Sequence, residues 1–187
     1  MNAALEAEGL VKRYGARTAV ENLSFSVPQG AIYGVLGPNG AGKSSTLRMI
    51  VGVLRPTAGQ ITMLGGPISR DVMRRVGYLP EERGLYRGMS ARSAIAYLAR
   101  LKGTPAGKAF KRADQLLNEH GLAKVKRKKI KTLSKGMAQK VQVLAAIAHE
   151  PELIIFDEPF SGLDPVNQRV LEETIRAEAA KGKTILF

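Results

Sequence analysis

The chain has 187 residues, 44% of them hydrophobic and 24% charged, proportions of one ordinary globular domain, alone or with an insert, which exclude wholesale disorder. Its longest apolar runs, ELIIF and VLAAIA, fall far short of a membrane span, and the N-terminal MNAALEAEG has no apolar region, so no secretory signal is expected and membrane work would need a separate partner chain. Cysteine is absent, which removes disulfides and thiolate metal sites, and the net charge of +13 favours polyanionic partners (nucleotide, nucleic acid or acidic lipid) without choosing among them.

In chain order, residues 3–13 and 17–27 alternate as strands should, with a turn at RYGAR and Pro28-Gln29-Gly30 as punctuation. Ala31 to Leu36 reads as a buried strand, followed by a Gly-rich turn and a helix from Lys43 to Leu54. GQITMLGG and VGYLP read as short strands. Helices are predicted over Ala91 to Leu101, over Ala106 to His120 with Gly121 as its stop, and from Ser134 to His149. ELIIFDEP is a buried strand ended by proline; the stretch from Asp164 and Pro165 to Gly182 is a well-punctuated helix, and KTILF is a last strand. This alternation predicts an α/β fold: a mostly parallel sheet, an N-terminal antiparallel β subdomain and a helical insert between residues 84 and 145. His120 and His149 fall near predicted helix C-termini, where a cation suits the dipole, and both read as structural.

GPNGAGKS, Gly37 to Ser44, fits G-x-x-x-x-G-K-[ST] between a predicted strand and a predicted helix, the context a P-loop requires. Glycines there let successive N–H groups aim at phosphate oxygens, and the helix N-terminus adds its dipole. Gly37, Pro38, Asn39, Gly40, Ala41, Gly42, Lys43, Ser44 and Ser45 are therefore the nucleotide-binding candidates, with Lys43 reaching the β- and γ-phosphates and Ser44 ligating Mg²⁺. LIIFDEP delivers Asp157 and Glu158 at the C-terminal end of a strand, where open parallel sheets place their ligands. Asp157 is read as a metal-holding carboxylate acting through water, and Glu158 as the catalytic group that orients and polarises the attacking water.

The order GPNGAGKSS, LSKGM, LIIFDEP and SGLD (Ser161 to Asp164) resembles the ATP-binding cassette (ABC) ATPases over essentially the whole chain, which would make residues 1–187 one nucleotide-binding domain with a P-loop NTPase core. The resemblance implies a head-to-tail dimer, with the chain itself or a related ATPase subunit, in which each ATP lies between one P-loop and the other subunit's signature. Ser134, Lys135, Gly136 and Met137 would then serve the neighbour's nucleotide, Ser134 and the N–H groups around Gly136 making charge-assisted bonds of roughly 1.5–3 kcal/mol each. Lys135 and Met137 replace a glycine and a glutamine of the family's usual LSGGQ. Glu81 stands in place of the family's loop glutamine, as a candidate metal-proximal carboxylate that also adds negative charge beside phosphates.

Tyr14 stands where the family stacks an aromatic on adenine, a packed strand tyrosine being the alternative. Asp164 fits either the dimer seam or a plain N-cap. The run KVKRKKIK, Lys124 to Lys131, reads as a solvated face; contact with anionic lipid or a transmembrane partner is the alternative, and its lack of interleaved aromatics argues against nucleic acid. The family also places a histidine after the strand that GKTILF begins, whereas neither histidine of this sequence lies there, which suggests a truncated chain that binds ATP but turns over weakly.

Together these imply an ATP-binding, ATP-hydrolysing subunit that uses ATP and Mg²⁺ to power a membrane transporter. Its partner would be a transmembrane permease in a separate chain, and its place cytoplasmic, peripheral on the inner face of the membrane with only indirect membrane contact. LPEERGLY and LSKGM look like motifs of bacterial exporter-type subunits, some of them sodium- or drug-efflux systems. Two rivals stand beside this: a soluble ABC ATPase acting on ribosomes or nucleic acid, which a single cassette with a compact insert disfavours, and a non-hydrolysing ATP-dependent dimerisation module.

Overall fold

The computed structural model describes residues 2–81 and 84–187. Two long strands, β1 (Ala3–Tyr14) and β2 (Arg17–Pro28), form an antiparallel hairpin; β4 (Ala58–Met63) pairs antiparallel with β1 and carries the short β5 (Gly66–Pro67) on its other side. A second sheet is parallel, in the order β3-β8-β7-β6, with β3 at Ile32–Tyr33, β6 at Val76–Leu79, β7 at Leu153–Phe156 and β8 at Thr184–Leu186. Helix α1 (Lys43–Ile50) follows β3, and the short α2 (Arg70–Arg74) precedes β6. Between β6 and β7 lie α3 (Ala91–Leu101), α4 (Ala106–Glu119), two 3₁₀ turns at Ala123–Val125 and Ile130–Thr132, and α5 (Lys135–Ile147); α6 (Pro165–Ala180) joins β7 to β8.

Strand β7 explains the layering. All four of its residues are buried, and they alternate between two cores. Leu153 and Ile155 face a cluster built from the antiparallel sheet and α1, including Leu5, Leu10, Met49 and Ile50. Ile154 and Phe156 face the other cluster, built by the helices. A strand covered on both faces has no polar side to show, hence the unbroken LIIF. Each such side chain contributes about 1.5–3 kcal/mol by leaving water. The helical layer packs through small residues: Ala91, Ala94 and Ala99 of α3 and Ala109 and Ala113 of α4 are buried, letting the backbones approach.

Several expectations are corrected. Ala31 to Leu36 is not a buried strand: only Ile32–Tyr33 is strand, Ile32 is 50% exposed and Leu36 92%. Among the described residues it pairs with β8 alone, at the end of the sheet order. Helix α1 ends at Ile50 rather than Leu54, because Gly52 takes a left-handed φ of 74° and the N–H groups of Val53 and Leu54 both turn back to the Arg48 carbonyl. Helix α5 likewise closes at Ile147, with Ala148 as its cap. Helix α2 has no sequence-based expectation behind it; Ser69 caps it by accepting from the Val72 N–H.

Burial, rather than a helix dipole, governs the two histidines. His149 is pushed down to about 4, by burial first and then by the nearby Lys102 charge. Its Nε2 donates to the Val76 carbonyl at 3.2 Å, which ties the end of α5 to β6 as a neutral ring. His120 is also lowered, again by burial first.

Candidate nucleotide site

The P-loop sits between β3 and α1, and Gly42 is required there twice over. Gly40 and Gly42 have φ of 84° and 87°, and Gly42 is the N-cap of α1. A side chain on Gly42 would also strike the Ala19 carbonyl and Val20 of β2, so the loop lies directly on the antiparallel sheet. Lys43 Nζ donates to the carbonyls of Gly37 at 2.8 Å and Pro38 at 3.1 Å, holding an ammonium at the loop. Pro38, Asn39, Gly40 and Ala41 are exposed, with the Ala41 N–H turned back to the Pro38 carbonyl at 3.2 Å.

Around this loop lies a cleft of about 520 Å³, whose walls include Asn39, Gly40, Gly42, Lys43, Ser44 and Ser45. The same cleft is walled by Tyr14, Glu81 and Glu158, so residues from four separate stretches of chain converge there. Tyr14 is not a packed strand tyrosine: it is 46% exposed and its hydroxyl lies 3.3 Å from Ser45 Oγ. Lys12 Nζ lies 5.3 Å from the Tyr14 ring centroid. Arg17 and Ala19 also line the cleft, and sequence reasoning missed both. The signal for Arg17 was present: a two-residue turn after Tyr14 makes Arg17 its cross-strand partner.

Asp157 follows β7 and is buried at 2% exposure, its N–H continuing the ladder to the Leu79 carbonyl at 2.9 Å. Its Oδ2 accepts from the Tyr78 hydroxyl at 3.5 Å, while Oδ1 is buried with no hydrogen-bond partner. Burial pushes the carboxyl above the usual carboxylate range; Arg48 pulls it back, Glu158 pushes it up, and the Ser44 and Tyr78 hydroxyls pull it back in smaller measure. An unpartnered carboxylate oxygen beside a serine hydroxyl is a hard-oxygen set that fits Mg²⁺. Among the described residues no three His, Cys, Asp or Glu side chains gather as a closed metal site. Glu158 is exposed and holds φ at 48°, a left-handed conformation costly for a non-glycine residue and found preferentially at functional sites.

The signature residues lie elsewhere: none of Ser134 to Met137 is among the walls of the cleft. Ser134 caps α5, its Oγ accepting from the Met137 N–H at 3.3 Å. A side chain on Gly136 would collide with Asn167 of α6, and one on Gly162 with the Lys135 ammonium, so the start of α5 is closely apposed to the SGLD segment. Met137 is 40% exposed. Asp164 is the N-cap of α6, Oδ1 accepting from the N–H groups of Val166 and Asn167, both at 3.1 Å. Its carboxyl is held below the usual range, first by the Asn167 side chain and then by the Asn167 backbone.

A glycine-rich loop at the mouth of a parallel sheet, with a buried aspartate at the end of β7 two strands away, defines a P-loop nucleotide-binding protein. The chain belongs to the ABC transporter family, whose model matches residues 20–161. It is 44% identical, over 98% of its length, to YhaQ of Bacillus subtilis, an uncharacterised ABC transporter ATP-binding protein, and covers 61% of that protein. It is 37% identical to the linearmycin resistance ATP-binding protein LnrL of the same organism, over 98% of the chain and 60% of that protein. The chain thus spans about three fifths of these curated relatives. Among solved structures, an ATP-binding subunit of an ABC transporter superposes with a TM-score of 0.87 at 33% identity, covering 98% of this chain and 78% of that one.

Proposed function

We propose that this chain binds ATP with Mg²⁺ and hydrolyses it, and that two such subunits closing about their nucleotides drive a separate transmembrane permease. The observation that carries the reading is the convergence of Lys43, Ser44 and Glu158 on one cleft, with the orphaned Asp157 oxygen beneath it. The exposed P-loop N–H groups and the N-terminus of α1 hold the phosphates, and Lys43 exchanges its two carbonyl partners for phosphate oxygens. Tyr14 offers a ring to the base, and Arg17 a cation beside it. Ser44 and Asp157 hold Mg²⁺, which neutralises charge on the phosphates, with Glu81 near enough to the cleft to join them. Glu158 polarises the attacking water, its carboxylate presented by a strained backbone.

The signature residues complete the partner's site in this reading. Support comes from their position: Ser134 stands exposed at a helix N-terminus and outside its own chain's cleft. Asp164 lies at the seam while capping α6. A groove of about 290 Å³, walled by Leu85, Arg87, Ile130, Leu133 and Gln142, lies after the Glu81 loop and suits a permease segment. The resistance function named for one relative favours export as the direction.

The test is a pair of variants. Lys43→Ala should abolish ATP binding, and Glu158→Gln should keep it while slowing hydrolysis by about 10²–10⁴-fold. An unimpaired Glu158→Gln enzyme contradicts the assignment.

A further inference from the structure

The charge of this protein is segregated. Residues 84–149 hold fifteen of the twenty-nine lysines and arginines and only two of the sixteen acids, Asp114 and Glu119. The rest of the chain holds fourteen of each sign, so the entire excess of +13 belongs to the helical insert. The two acids are already engaged. Asp114 accepts two 2.8 Å bonds from Arg92 and faces Lys126 at 3.8 Å, and Glu119 accepts from Gln115 at 2.7 Å.

Part of that excess lies on one built platform. Residues 126–131 run antiparallel to 87–92: the Ala91 N–H donates to the Lys128 carbonyl, the Ile130 N–H to Met89, and the Lys131 N–H to Arg87, at 2.9–3.1 Å. Val125 and Ile130, 8% and 7% exposed, root the segment in the core. Rooted this way, the platform turns Lys124, Arg127, Lys128 and Lys129 to solvent, clear of the groove beside Arg87 and Lys131. Tyr86, 59% exposed, stands at its edge with its ring set edge-on against Tyr97.

We propose that this platform binds the anionic surface of a lipid bilayer directly, so that the subunit touches the membrane itself as well as its permease. A flat array of lysine ammonium groups is suited to a diffuse field of lipid phosphates, and an exposed tyrosine beside it to the headgroup layer. The same array fits nucleic acid less well. No aromatic lies between Lys124 and Lys131 to stack a base, and five of the six cations in that run are lysines, which lack the fork that reads base edges. The surface is separate from the nucleotide cleft, and the inference stands without the hydrolysis reading.

The test is co-sedimentation of this chain with vesicles of phosphatidylcholine containing phosphatidylglycerol, against vesicles of phosphatidylcholine alone. Binding is expected only to the anionic vesicles and should weaken with salt. Replacing Lys124, Arg127, Lys128 and Lys129 together by glutamine should lower the partition coefficient about fivefold for each cation removed. Because these four side chains are exposed and remote from the P-loop, the variant should keep its ATP affinity. Equal sedimentation with neutral vesicles, a quadruple variant that sediments like its parent, or tighter retention on duplex DNA than on the vesicles would each overturn the proposal.

Discussion

Gly42 faces the carbonyl oxygen of Ala19 across a gap that no side-chain carbon can enter. The contact couples the phosphate loop to the antiparallel sheet, so the loop's shape and the position of Tyr14 are set together. Gly42→Ala adds the collision to the cost of a left-handed residue, about 1–2 kcal/mol. It should weaken ATP binding by about tenfold or more, measured by isothermal titration. Wild-type affinity would show that the loop is not held as described.

Asp157 keeps its place at a cost to stability. Its carboxyl is raised, chiefly by burial, so the folded chain favours the protonated form. Stability from this group is full below the unfolded carboxyl range and is lost as pH rises through the higher folded value. At neutral pH the cost is present, and Asp157→Asn should melt at a higher temperature than the parent while losing Mg²⁺-dependent ATP hydrolysis. A lower melting temperature would mean that the unpartnered oxygen is satisfied in solution.

His149 should give the protein an acid-sensitive step. Its folded value of about 4 lies below the ordinary 6.5, so the unfolded chain takes up a proton first as pH falls. Stability is full above pH 6.5 and drains away between there and 4, by ~3 kcal/mol in all. His149→Gln, which keeps a donor toward Val76, should flatten this slope in urea titrations across that window. An unchanged slope would place the transition on other groups, His120 among them.

Gly136 and Asn167 touch so closely that a methyl on Gly136 must displace the amide that also bonds Asp164. Gly136→Ala should cost about 1–3 kcal/mol as an overpacked contact. ATP affinity of the isolated chain should survive, since this contact lies outside the cleft, while hydrolysis falls. The double variant with Asn167→Ala makes room for the methyl and should recover the stability. No recovery would mean that the glycine is needed for its backbone alone.

Much of the site could be read from the sequence because its parts are local. GPNGAGKS carries its own backbone requirements, and LIIF followed by DEP announces a doubly covered strand delivering carboxylates to its end. Ser134 and Asp164 were legible as caps for the same reason, since a cap is satisfied within three residues. What escaped was tertiary. The apolar character of Ala31 to Leu36 says nothing of its edge position, and histidines near helix ends carry no mark of how deeply they are buried. The apposition of Gly136 to Asn167, and of Lys135 to Gly162, joins residues that only the packing of α5 against α6 brings together. The charge segregation was present in the sequence, but its meaning depends on a platform whose pairing only the fold supplies.

The central claim is that two subunits enclose ATP, each signature completing the other's cleft. It is tested most directly by sedimentation of the Glu158→Gln variant with and without saturating ATP, in parallel with Glu158→Gln combined with Ser134→Arg. The account predicts a dimer for the single variant only when ATP is present, and a monomer for the double variant throughout. A single variant that binds ATP yet sediments as a monomer at every protein concentration would contradict it.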